Sequence, residues 1–149
     1  MTKLTIKEVL PEVDKLIKSG KYTKTESALA RTGCKRCYLG LIAQVLVDKG
    51  YYEWREFDCG GDTKLYLELT PVGAAAGFEK TDTIVSIDSI DDLPYKVHYP
   101  LSYSYEGEEL IPVWKLNDQL KLSFEETHAA VCNEVKRRAK SNDPNSSNG

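Results

Sequence analysis

The chain has 149 residues, 41% hydrophobic and 29% charged, the size and balance of one ordinary globular domain that buries a core without a disulfide or metal staple. A net charge of −3 excludes indiscriminate electrostatic binding to nucleic acid or anionic membrane. Residues 1–80 carry 13 Lys/Arg against 11 Asp/Glu, and residues 81–149 carry 7 against 12, so a basic front precedes an acidic back. Met1 to Leu10 lacks an apolar leader, and no apolar run approaches the ~20 residues that cross a bilayer. The expected address is therefore the cytoplasm, with no membrane partner and with the four cysteines reduced.

In chain order, the first helix is expected over about Ile6 to Lys18, closed by Ser19-Gly20. Thr5 and Glu8 form a capping-box pair, Val9, Val13, Leu16 and Ile17 make the apolar stripe, and Pro11 is an alternative start. A short second helix is expected over Lys24 to Arg31, capped by Thr23 and Glu26 and ended by Gly33. From Lys35 to Lys49, Leu39, Ile42, Ala43, Val45 and Leu46 cover more than one face, which predicts a buried helix stopped at Gly50. Tyr51 to Phe57 and Lys64 to Thr70 flank Asp58-Cys59-Gly60-Gly61-Asp62 as a β-hairpin. Val72 to Phe78 follows as a short Ala-rich helix, and Thr83 to Asp88 as a strand. Val97 to Tyr105 places Val97, Tyr99, Leu101, Tyr103 and Tyr105 on one side, turns at Glu106-Gly107, and leads towards Leu110 to Trp114, with Pro100 and Pro112 favouring a sheet edge. The last helix begins at Ser123 with Glu126 completing its cap, and Phe124, His128, Val131 and Val135 are expected on its inner face.

Several constellations have the residue types that chemistry needs. Cys34-Lys35-Arg36-Cys37 is a CxxC, and with His128 and Cys132, four apart on one helix, it has the composition of a Cys3His zinc site. Cys37 and Cys132 serve equally well as small core residues. Cys37 in the first turn of a helix beside Arg36 is also a candidate nucleophile, with His98 or His128 as base and Asn117 or Asp118 to orient it. No phosphate loop or other cofactor fingerprint is present, so no cofactor is expected. Residues 23–73 look like a winged helix-turn-helix, in which Lys35, Arg36, Tyr38 and Gln44 face the major groove and Arg55 and Lys64 lie on the wing. Glu53, Glu56 and Asp58 on that wing would repel phosphate, which disfavours DNA as the partner.

Three ordered stretches carry a resemblance. Leu16-Ile17-Lys18-Ser19-Gly20-Lys21-Tyr22-Thr23-Lys24, Cys37-Tyr38-Leu39-Gly40-Leu41-Ile42, and Leu116-Asn117-Asp118 with Ser123-Phe124-Glu125-Glu126 follow one another at about the spacing of a known pattern. The chain thereby resembles a family of small uncharacterised proteins of tailed phages and prophages. The resemblance implies a viral setting, hence the host cytoplasm, and assigns no catalytic residue. Gly40 then reads as a point of close approach, and Asn117-Asp118 as a turn before a cap.

The expectation is thus an α+β domain over residues 1–140 with a disordered tail over 141–149. It has N-terminal helices, a buried cysteine-bearing helix, a hairpin, a small antiparallel sheet and a C-terminal helix. The leading function is a non-catalytic accessory protein that binds a host protein or a small nucleotide-like ligand. Tyr99, Tyr103, Tyr105 and Trp114 would line the ligand site, and Lys35, Arg36 and Lys96 would meet phosphates. A winged-helix DNA regulator and a Cys37 hydrolase are the alternatives. The tyrosine strands would equally suit the seam of a homo-oligomer.

Overall fold

The computed structural model describes residues 4–80, 90–91, 93–99 and 109–141. Its fold class is α+β, and it divides into two compact units, Met1–Leu93 and Pro94–Gly149.

The N-terminal unit opens with strand β1, Leu4–Thr5, which pairs in parallel with β7, Ile90–Asp91. Helix α1 runs over Ile6–Ser19 with Ile6, Val9 and Val13 buried, and Pro11 is inside it rather than at its start. Pro11 falls within the first two turns, where its missing N–H removes only one hydrogen bond from the ladder. The Thr5–Glu8 pair does not make a capping box. The Thr5 hydroxyl meets Glu8 Oε1 at 3.3 Å and no side chain caps the helix.

The helix expected over Lys24 to Arg31 does not form. That stretch gives β2, Thr23–Lys24, a bend, and β3, Ala30–Arg31, which turns through residues 32–34 into β4, Lys35–Arg36. Thr25 N–H bonds the Arg36 carbonyl at 2.8 Å, and Ser27 takes a left-handed φ of 61°. An eight-residue segment repays little of the helix nucleation cost, and sheet pairing supplies its hydrogen bonds instead. Helix α2 accordingly starts at Tyr38, three residues later than expected, and runs to Asp48. Cys37 is its N-cap, with Sγ accepting from Gly40 N–H at 3.3 Å.

Hairpin strands β5, Tyr52–Cys59, and β6, Asp62–Leu69, pair in register from Tyr52↔Leu69 to Cys59↔Asp62. Gly60 and Gly61, at φ 61° and 89°, make the two-residue turn whose twist suits a hairpin. The five-stranded order is β2-β4-β3-β6-β5, with β2–β4 parallel and the other pairs antiparallel. Tyr52, Leu65, Leu67 and Ala30 are buried on one face. Helix α2 packs against α1 and β5, and its nine consecutive residues Tyr38 to Leu46 are buried. At about 1.5–3 kcal/mol per large apolar side chain, this helix is the heart of the core. Thr70 caps the short α3, Pro71–Ala75, by accepting from Gly73 N–H at 3.0 Å, and Phe78 then stacks on Tyr51 at 4.5 Å.

In the C-terminal unit, β8, Lys96–Tyr99, pairs antiparallel with β9, Glu109–Pro112. Val113 and Trp114, expected to extend that strand, instead begin α4, Val113–Asp118. Pro112, which cannot donate to a ladder, is the break. Helix α5 spans Phe124–Ser141 and packs on α4 and β8. Its buried stripe is Thr127, Ala130, Val131 and Glu134, so of the four residues expected inward only Val131 is fully buried. The strand expected over Thr83 to Asp88, the run Leu101 to Tyr105, and positions 142–149 lie outside the described residues. Among the described residues, no helix is long and apolar enough to cross a membrane.

Candidate functional site

A groove of about 490 Å3 opens between β8 and α5 of the C-terminal unit, lined by His98, Tyr99, Glu126, Ala129, Ala130, Asn133, Glu134 and Arg137. That volume suits a small ligand. The helix contributes its residues at the three- and four-residue spacing of one face, and two alanines there leave the space that larger side chains would fill.

Glu134 anchors the site. Its side chain is 3% exposed, and Oε1 accepts from His98 N–H at 2.9 Å and meets His98 Nδ1 at 2.8 Å. Oε2 accepts from Arg138 Nε at 3.0 Å, and Arg138 Nη2 also reaches the Lys96 carbonyl at 3.0 Å. Burial alone would push the Glu134 carboxyl up; the hydrogen bonds from His98 and Arg138 outweigh it and hold the group at about 2. A carboxylate can only accept, so His98 Nδ1 bears the proton in their contact. Nε2 is the opposite ring nitrogen, and the ring edges the groove. The arrangement offers an oriented imidazole, an aromatic ring at Tyr99, an amide at Asn133 and a guanidinium at Arg137.

No protein-family model matches the chain, and no curated protein or solved structure matches it either.

Of the ligand-site residues expected from sequence, Tyr99 lines this groove, while Lys96 and Trp114 do not. Trp114 is 44% exposed on α4, with Lys115 Nζ 5.7 Å from its ring centre. Tyr103 and Tyr105 lie outside the described residues. Lys35 is exposed on β4 of the N-terminal unit. Arg36, expected to meet phosphate, is 7% exposed, with its guanidinium 5.1 Å from the ring centres of both Tyr22 and Trp54. Its Nε bonds Gln44 Oε1 at 3.0 Å, which also accepts from Trp54 Nε1 at 2.8 Å, and its Nη1 bonds the carbonyls of Arg31 and Lys35. Burial draws this guanidinium below its ordinary value, against the pull of Tyr22, Cys34, Asp48 and Cys37. Arg36 is thus a buried cation clamped between two rings, and Arg36, Tyr38 and Gln44 are all interior where a groove-reading helix needs them outside. Arg55 is exposed but paired with Glu53 and Glu68. Lys64 Nζ reaches the Ser27 carbonyl at 3.3 Å.

Cys37 is 8% exposed and occupied in capping α2, whereas Cys34 is exposed in the β3–β4 turn. His128 Nε2 and Cys132 Sγ approach to 3.6 Å along α5. Among the described residues, no three His, Cys, Asp or Glu side chains gather closely enough to hold a metal ion. His98 is oriented by Glu134 rather than by Asn117 or Asp118; the Asn117 amide donates to Asp118 at 2.6 Å. Sequence reading missed Glu134, Asn133 and Arg137. The available signal was a glutamate in the Thr127-Val131-Glu134 row, where a charge on an inward stripe requires buried partners.

Proposed function

We propose that this chain is a non-catalytic accessory protein that binds a host factor, its C-terminal groove taking a small nucleotide-like ligand, a reading compatible with its resemblance to small uncharacterised phage proteins. The observation that carries the reading is His98, fixed by a buried carboxylate while its ring edges a groove that also contains Tyr99, Asn133 and Arg137. A fixed imidazole, a ring face and an amide are the few convergent polar and aromatic groups that orient a ligand in a concave site. Tyr99 offers its face to a base, and Asn133 offers both donors and an acceptor to a base edge. We prefer this reading to a DNA-reading helix or a Cys37 nucleophile because Arg36, Tyr38, Gln44 and Cys37 are buried.

Thermal melts against a panel of nucleotides and cyclic nucleotides test it. A ligand at about 100 times its Kd adds about 2.7 kcal/mol, which raises the melting temperature by several degrees. Tyr99→Ala and Asn133→Ala should each shrink that rise without unfolding the chain. If no member of the panel shifts the wild-type melt, the small-ligand reading fails, and a host protein becomes the partner to seek.

A further inference from the structure

We infer that the solvent face of the five-stranded sheet is a binding surface for a short stretch of single-stranded nucleic acid, with Lys35 and Lys64 holding phosphates and Tyr66 stacking on a base. This surface lies wholly in the N-terminal unit and does not depend on the groove of the C-terminal unit.

Strand register places the residues. Partners across adjacent strands share a face, and neighbours along a strand alternate between faces. Ala30, Arg36 and Leu65 are cross-strand partners and are buried. The next row, Lys35 on β4, Arg31 on β3, Lys64 on β6 and Phe57 on β5, therefore points away from the core. At the ~4.8 Å spacing of strands, the three cations of that row span about 10 Å. Tyr66, two residues beyond Lys64, shares this face and is 40% exposed, with Phe57 beside it at 5.9 Å between ring centres.

The charges of the face are matched unevenly. Arg31 is closed on Asp62, its Nε 3.0 and 3.1 Å from the two carboxylate oxygens, and its Nη1 bonds Thr25 and the Glu26 carbonyl. Lys35 is exposed, and Lys64 Nζ donates to the neutral Ser27 carbonyl at 3.3 Å. These two lysines are the surplus. The hydrogen bond from Arg31 holds the Asp62 carboxyl below its ordinary value, and Lys64 and Lys35 add to the pull. At the base of the hairpin Arg55 pairs with both Glu53 and Glu68, which leaves one negative charge there. The surface is thus positive across β4, β3 and the tip end of β6, negative at the hairpin base, and aromatic between. Glu56 and Asp58, which repel phosphate in the sequence reading, alternate onto the opposite face of β5.

An exposed ring beside a row of cations suits unstacked bases on a charged backbone. A duplex needs an element that enters its groove, and α2 is buried. An acidic peptide would satisfy the lysines and leave Tyr66 unused.

Fluorescence anisotropy of the full chain with labelled oligodeoxythymidine and oligouridine strands of about 12 nucleotides tests the inference. Affinity should fall about sevenfold between about 50 and 200 mM salt, the dependence of two phosphates on a single strand. Lys35→Gln should reduce that factor to about threefold, the value for one phosphate. Tyr66→Thr keeps a residue suited to a strand, and it should weaken binding at least about fivefold at every salt concentration with the salt factor unchanged. Circular dichroism melts establish that both variants, altered at exposed positions, are folded. Equal binding of the two strands supports recognition by phosphate and base alone, and a preference for uridine supports it with a 2′-hydroxyl contact added. No anisotropy change with either strand up to about 100 µM protein at low salt overturns the inference. Binding that neither substitution alters places the strand elsewhere and overturns it as well. Duplex binding as tight as that of the single strand, or equal binding of oligoglutamate that ignores Tyr66→Thr, overturns it in favour of a plain anion surface.

Discussion

A Cβ built at Gly40 would lie 1.8 Å from the Leu29 carbonyl oxygen and 2.9 Å from its carbon. Both atoms are backbone, and Cys37 N–H bonds that same carbonyl at 3.0 Å, so the strand segment cannot retreat without losing a hydrogen bond. Replacing a mid-helix glycine by alanine ordinarily gains about 1 kcal/mol in helix propensity. Here the steric cost wins, because the contact is far inside van der Waals range on a buried face. Gly40→Ala should therefore destabilise the protein by more than about 2 kcal/mol, in the range of overpacked core substitutions. Urea unfolding checks this directly, and an alanine variant as stable as wild type would show that the close approach has no weight. The sequence pattern marked Gly40 as a place where another element comes near, and the element is the segment leading into β3.

Helix α5 shows how far local chemistry predicts an element. Ser123 N–H donates to Glu126 Oε1 and Glu126 N–H donates to Ser123 Oγ, both at 3.1 Å, the reciprocal capping box that the spacing implies. Ser123→Ala should cost about 1 kcal/mol, read as a lower urea midpoint at unchanged slope. A variant with the wild-type midpoint would mean that the helix start is held by packing alone. The hairpin was equally legible, because two glycines between alternating strands specify a tight turn. The stretch from Thr23 to Arg31 was not. Its capping signal at Thr23 and Glu26 is as good as that at Ser123, yet it has too few residues to repay nucleation. The hydrogen bonds from Thr23 and Thr25 to the 34–36 segment are non-local, so periodicity does not show them. The groove was legible only through Tyr99 as a ligand contact and His98 as a candidate base. Its other members are brought together by the crossing of β8 and α5, which spacing along one element cannot reveal.

Across the whole molecule the depressed carboxyls share one sign. Asp62 in the N-terminal unit, half-buried, is held down by its hydrogen bond from Arg31, and the exposed Glu126 in the C-terminal unit by the Ser123 main chain and hydroxyl. Glu134 is the buried one, held at about 2 against an ordinary value of 4.5. A group whose folded value lies below its unfolded value adds stability that is complete above the unfolded value. That stability is lost as pH falls through the folded one. For Glu134 the loss runs between pH 4.5 and about 2, and the shift corresponds to about 3 kcal/mol of the C-terminal unit's stability. Glu134→Gln isolates it. Glutamine is neutral at every pH, so it forfeits the charge-assisted bonds to His98 and Arg138 at pH 7, where wild type has them in full. By pH 2 wild type has begun to lose them as well. Urea midpoints of the two proteins should therefore differ most near pH 7 and converge as pH approaches 2. A gap that stays constant across that window would mean that Glu134 stabilises the unit by shape rather than by charge, and the orientation of His98 would then need another source.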